Sequence, residues 1–192
     1  NYQLTTQISD YFNELDQMLF YLALAGSAFK KIYYDDMLDR ICSKFVPAED
    51  FVISMENTDL ETAERYTQIM KLTRNDIRKY QISGVYRDIP LTKSEAGGSG
   101  SNNDGDMVEQ TLQRLEGMSP SMADKIHTVL EVHTNLDLGE DKNELALPYI
   151  VTIDYESQQV LSIRRNWKEE DTLRRKRTYF IHYKYLPGLG FY

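Results

Sequence analysis

Apolar residues recur at three- and four-residue steps along the start of the chain. Leu4, Ile8, Tyr11, Phe12, Leu15, Met18, Leu19 and Leu22 fall on one helical face, which predicts an amphipathic helix over 2–25. Gly26 is placed to end it, since glycine takes the left-handed conformation that closes helices. From Leu19 to Ala25 the apolar character runs nearly all round, which predicts deep burial of that end. The period then changes to two. Phe29–Tyr34, Arg40–Val46 and Phe51–Ser54 read as strands, the last two flanking Pro47.

Residues 60–72 are ambiguous: helical by propensity, yet Tyr66, Thr67, Ile69 and Met70 suit a strand. Thr73, with Asp76 three positions on, predicts an N-cap for a helix over 74–82 closed by Ser83–Gly84. The stretch TKSEAGGSGSNNDGD at 92–106 is flexible in composition, either an engineered linker or a natural polar loop. Met107, Val108, Leu112, Leu115 and Met118 mark a second amphipathic helix. Strict alternation returns over 126–138, and again in a hairpin of strands 147–154 and 159–166 around a turn near 156–158. A charged connection at 168–176 leads to a last strand over 178–185. Two or three helices around a mainly antiparallel sheet make an α+β fold. The organisation is a first segment at 1–91, the linker at 92–106 and a second segment at 107–192, together one domain. Asn1 at the start and Phe191–Tyr192 at the end suggest a piece cut from a longer protein.

Composition narrows the function. Hydrophobic residues make up 41% and aromatics 11% of 192 residues, enough for a packed core. Fourteen tyrosines suit half-buried sheet faces, where the ring packs and the hydroxyl stays wet. A net charge of −8 disfavours phosphate binding by the surface as a whole. The single cysteine, Cys42, rules out an internal disulfide and reads as a small buried or half-buried thiol. No apolar run is long enough to span a bilayer, so no membrane is expected as a partner.

The chain carries no phosphate-binding loop, no HExxH, GxSxG, CxxC or dinucleotide fingerprint. His127 and His133 share a strand face about 20 Å apart, too far to hold one metal, and read together with His182 as sheet-surface histidines. Asp35, Asp36 and Asp39 form one acidic turn, and Asp137, Glu140, Asp141 and Glu144 another; solvated turns are the reading for both. No catalytic residue, metal ligand or cofactor is assigned. One basic region stands out, with Arg164, Arg165, Lys168, Arg174, Arg175, Lys176 and Arg177 interleaved with Trp167 and Tyr179. Arginines beside aromatics suit nucleic acid, but Glu169, Glu170 and Asp171 lie inside the run. Subunit contacts or internal ion pairs explain it better. Arg164, Arg165, Trp167 and the 174–177 cluster are the candidate contact residues.

Several long strings resemble one family, the portal proteins of short-tailed bacteriophages. They are GSAFKKIYYDD at 26–36, SKFVPAEDFVIS at 43–54, TDLETAERYTQIMKLTRNDIRKYQISGVYRD at 58–88, and LPYIVTIDYESQQVLSIRRNW with RTYFIHYKYLPGLGFY in the final quarter. The resemblance covers most of the chain outside 92–120. It implies a dodecameric ring at a capsid vertex through which genomic DNA is packaged and ejected, with no catalysis of its own. It implies that this chain is the wing, meeting other portal subunits and capsid and scaffold proteins. Terminase and DNA would be met by parts outside it, in the virion and, during assembly, in the host cytoplasm. It also implies that AERYTQIMKL is a strand.

Overall fold

The computed structural model describes residues 8, 10–35, 38–54, 59–90, 126–139 and 145–185. The elements, in order, are α1 (Tyr11–Ala25), β1 (Ser27–Asp35), β2 (Arg40–Pro47), a 3-10 turn (Ala48–Asp50), β3 (Phe51–Ile53), β4 (Arg65–Thr73), α2 (Arg74–Ile82), β5 (Ile126–Leu136), β6 (Leu147–Asp154), β7 (Val160–Arg165) and β8 (Phe180–Lys184). The fold is α+β. Its strands form a three-stranded sheet of order β2-β1-β8 and a five-stranded sheet of order β3-β4-β5-β6-β7. The predicted linker at 92–106 and the predicted helix at 107–118 lie outside the described residues.

The chain divides into two compact units. One holds Asn1–Ile69, Glu131–Val151 and Ile163–Tyr192, the other Met70–Leu130 and Thr152–Ser162. The boundaries fall within β4, β5, β6 and β7.

In the first unit, β1 is the middle strand of its sheet, antiparallel to both neighbours, with Phe29 opposite Val46 on one side and His182 on the other. One face of β1 turns Phe29 into a core with Val46, Phe51, Leu60, Ala63, Tyr66 and Phe180. Phe29 and Phe51 stack at 4.1 Å, and Phe51 meets Phe180 at 5.0 Å. The opposite face receives α1. Gly26 ends that helix at φ 78°, donating its N–H to Leu22. Met18 is its buried residue, and burial of a side chain that size contributes about 2 kcal/mol. Tyr21 packs on Phe45 at 5.3 Å, and the Glu14 carboxylate accepts the Phe45 N–H at 2.7 Å. Phe45 lies on an edge strand, so this carboxylate satisfies a donor that an unpaired edge leaves open.

The predicted deep burial of 19–25 is corrected by the structure. Leu19, Phe20 and Leu24 are 52%, 76% and 79% exposed. A helix laid on one three-stranded sheet touches it along one stripe only, and apolar residues on the other side stay in solvent.

The second unit is built around Ile77, Tyr86, Val129 and Leu161, with Met70, Leu72, Tyr80 and Val85 against them. Thr73 caps α2: its hydroxyl accepts the Asp76 N–H at 3.2 Å and donates to the Asp76 carboxylate at 2.7 Å. That pair holds the Asp76 carboxyl below its usual range, the Thr73 hydrogen bond first and Lys79 next. The chain after α2 then folds against β7, where the Arg87 N–H donates to Leu161 at 2.8 Å. Of the ambiguous segment, the residues from Arg65 on form the strand β4, as the resemblance implies, while 60–64 is a turn and irregular chain.

Candidate subunit-contact surface

β7 is an edge strand, and Ile163, Arg164 and Arg165 at its end are exposed. Asn166 continues the pairing, its N–H donating to Pro148 at 2.9 Å, and Arg177 comes back to donate to the Asn166 carbonyl at 2.9 Å. The connection between β7 and β8 is thus a closed loop. Asp171 shapes it by accepting the N–H groups of Leu173 at 3.0 Å and Arg175 at 3.2 Å, with the Arg175 guanidinium at 3.1 Å. These donors, the Leu173 N–H first, hold its carboxyl below the usual range. Arg174 follows at φ 49°, a left-handed residue in the loop.

The loop presents Trp167. Its indole meets Tyr149 edge-on at 5.2 Å, and the guanidinium groups of Arg165 and Arg174 lie 5.8 and 6.0 Å from the ring. These three residues and Glu169 line an open cleft of about 300 Å³. Of the seven candidate contact residues, Arg165, Trp167 and Arg174 are therefore brought together. Arg164 stays exposed on β7, Arg175 is exposed on Asp171, and Arg177 is exposed beside the Tyr179 ring at 5.3 Å. Lys176 turns inward. It donates to the carbonyls of Glu61 at 3.2 Å and Ala63 at 2.9 Å and lies 5.2 Å from the Tyr66 ring; burial lowers its pKa. Lys176 fastens the loop to its own unit.

The same unit holds a charged group that sequence reasoning missed. Lys31 donates to Glu131 at 2.7 Å and to Gln68 at 2.9 Å, and the His133 Nε2 lies 2.9 Å from the same Glu131 oxygen. Tyr66 stacks on His133 at 4.7 Å. Burial pushes the Glu131 carboxyl up, but the Lys31 ammonium and His133 outweigh it and hold the group well below its usual range. Burial keeps His133 below its ordinary value against the pull of Glu131, and it raises the Tyr66 hydroxyl. An acceptor-only carboxylate beside a neutral imidazole makes Nε2–H the donor.

His127 and His133 are only 4% and 1% exposed, which corrects their reading as sheet-surface residues. His133 is held as above, whereas the Asp154 carboxylate lies 3.4 Å from the His127 Nδ1 with no hydrogen bond between those two atoms. Ser157 completes that group, but its hydroxyl and N–H both go to Asp154, at 2.5 and 3.0 Å. A serine nucleophile needs its hydroxyl on the base, so this arrangement closes the β6–β7 turn instead. His182 is half-buried, bonded to Ser27 at 2.8 Å and stacked on Phe29.

The described acidic residues bond within their own turns. Asp35 accepts the Leu38 N–H at 3.2 Å, Asp39 accepts the Tyr34 hydroxyl, and Asp137 accepts the Gly139 N–H at 2.9 Å. Asp36, Glu140, Asp141 and Glu144 lie outside the described residues. Among the described residues no group of His, Cys, Asp and Glu could hold a metal ion, and no helix is long and apolar enough to cross a membrane. Cys42 is a buried free thiol.

A scan against protein-family models and a search of curated proteins found no match.

Proposed function

We propose that this chain is a structural assembly module, the wing region of a phage portal protein, working by burying surface against other copies and the capsid shell. Two things support the reading. The first is the resemblance of long strings to that family: 26–36 takes in the Gly26 cap of α1 and β1, and 147–167 takes in β6, its turn and β7. The second is the arginine surface around Trp167, and that observation carries the contact. Arginine and tryptophan at a shaped, partly open cleft are what interfaces enrich, and a loop closed by Asp171 and Lys176 presents them in one conformation. In this reading Arg164, Arg165, Trp167, Arg174, Arg175 and Arg177 meet a neighbouring subunit, and Lys176 acts by holding the loop. Capsid and scaffold proteins are further partners of the wing. Terminase and genomic DNA belong to other parts of the ring, in the virion and, during assembly, in the host cytoplasm.

The test is ring assembly by the parent protein. Replacing Arg164, Arg165, Arg174 and Arg177 together by alanine is expected to impair ring formation while leaving the fold intact. Rings that form as readily as in the wild type remove the proposal. Lys176→Ala separates the roles: it should lower the melting temperature, because it strips the carbonyls of Glu61 and Ala63, the latter part-buried, of their donor.

A further inference from the structure

The outward side of α1 is apolar. Phe12, Leu19, Phe20 and Leu24 are 59%, 52%, 76% and 79% exposed, and their spacing puts them on one stripe. Exposed apolar stripes of this extent mark surfaces that another molecule covers. The charge of the helix restricts what that molecule is. Between Tyr11 and Ala25 the helix carries Glu14 and Asp16 and no lysine or arginine, and Asp16 is exposed within the stripe. A second α1 is a poor occupant, because it would bring acid against acid with no cation to offset it.

The same unit carries a surface of the opposite kind. Residues 164–177 hold seven of the chain's Lys and Arg against three acids, whereas the rest of the chain holds 15 against 27. This surface also exposes Ile163 at 49% and Leu173 at 74%, beside half-buried Trp167. It thus offers apolar contact beside exposed cations, complementary to an apolar stripe whose exposed charge is Asp16.

We propose that the outer face of α1 docks on the Ile163–Trp167–Leu173 surface of a second copy of this chain, head to tail. The proposal rests on the subunit-contact reading above and names what that surface takes. The apolar side chains supply the affinity, and the charges set partner choice and on-rate. Because two unlike faces meet, each copy keeps one face open for the next. Repetition gives a ring when the rotation closes and a filament when it does not.

The experiment uses the full 192-residue chain in sedimentation velocity over a concentration series, with circular dichroism to check each fold. Both substituted positions are exposed, so Leu24→Ser and Leu173→Ser should fold. Each is expected to weaken self-association about tenfold or more, as loss of a central anchor does. High salt should weaken it further. Disulfide trapping fixes the pairing. In a Cys42→Ser background, Leu24→Cys and Leu173→Cys chains of distinguishable mass are mixed and oxidised, and the mixed dimer should predominate. Predominant Leu24→Cys homodimers, no covalent dimer, or a wild-type chain that stays monomeric at every concentration overturns the docking. Association lost with the arginine variants but kept with Leu24→Ser also overturns it, while the subunit-contact reading stands. A parent protein that forms no ring counts against that reading separately.

Discussion

At the scale of single residues, the most consequential group is Lys31, Glu131 and His133. A buried charge is tolerated only when paired, so removing one partner leaves another exposed to its full desolvation penalty. Lys31→Met is expected to cost about 3–5 kcal/mol, read from chemical denaturation. The pH dependence follows from the direction of the two shifts. His133 is held below its ordinary 6.5, so the unfolded chain takes up that proton first and stability falls as pH drops through about 6.5. Glu131 is held below its ordinary 4.5, so its stabilisation is present above that value and is lost as pH falls toward its folded value. His133→Gln should flatten the upper limb alone. A wild-type stability that stays level from pH 7 to pH 5 contradicts this assignment. Little of the group was legible in the sequence. Alternation over 126–136 correctly gives the strand, but the face it favours, with Ile126, Leu130, Val132 and Leu136, is not the buried one. His127, Val129, Glu131 and His133 are buried instead. Polar residues go inside when partners from distant segments meet them, and Lys31 is 100 positions away from Glu131. No local pattern carries that information.

At the scale of elements, legibility follows how local the cause is. The start of α2 is set by Thr73 and Asp76 within one turn, and the sequence shows it plainly. Thr73→Ala should destabilise the protein by about 1 kcal/mol, seen as a lower melting temperature; no change would mean the cap is not needed. The end of α1 is equally local, since Gly26 closes it. β4 is the opposite case. Its residues suit a helix by propensity, and pairing decides: Phe51 opposite Gln68, Val52 opposite Thr67 and Ile53 opposite Tyr66. The exposure of the outer side of α1 has a related cause. Composition shows that a helix is apolar, but which sides find partners depends on how wide a sheet lies beneath it. The candidate contact surface was legible as a cluster of arginines around Trp167. That Lys176 would turn inward depends on contacts at Glu61 and Ala63, more than 100 positions away, whereas Asp171 closes the loop locally through Leu173 and Arg175.

At the scale of the whole molecule, charge separates the leading reading from its rival. The arginine surface alone suits a nucleic acid, since two guanidinium groups flank one indole. The chain as a whole carries −8, and a field of that sign opposes a polyanion. A gel shift with duplex DNA at low salt is therefore expected to show no robust binding, and a stable shifted band would favour the nucleic-acid reading instead. Against another copy the same asymmetry becomes an advantage, because the cationic surface meets an acidic neighbour. The most direct test of the central claim is an electron cryomicroscopy structure of the assembled parent protein. The account predicts a twelvefold ring in which Arg165, Trp167 and Arg174 are buried against the neighbouring subunit. A protein that does not assemble, or a ring in which the Trp167 surface faces solvent, contradicts it.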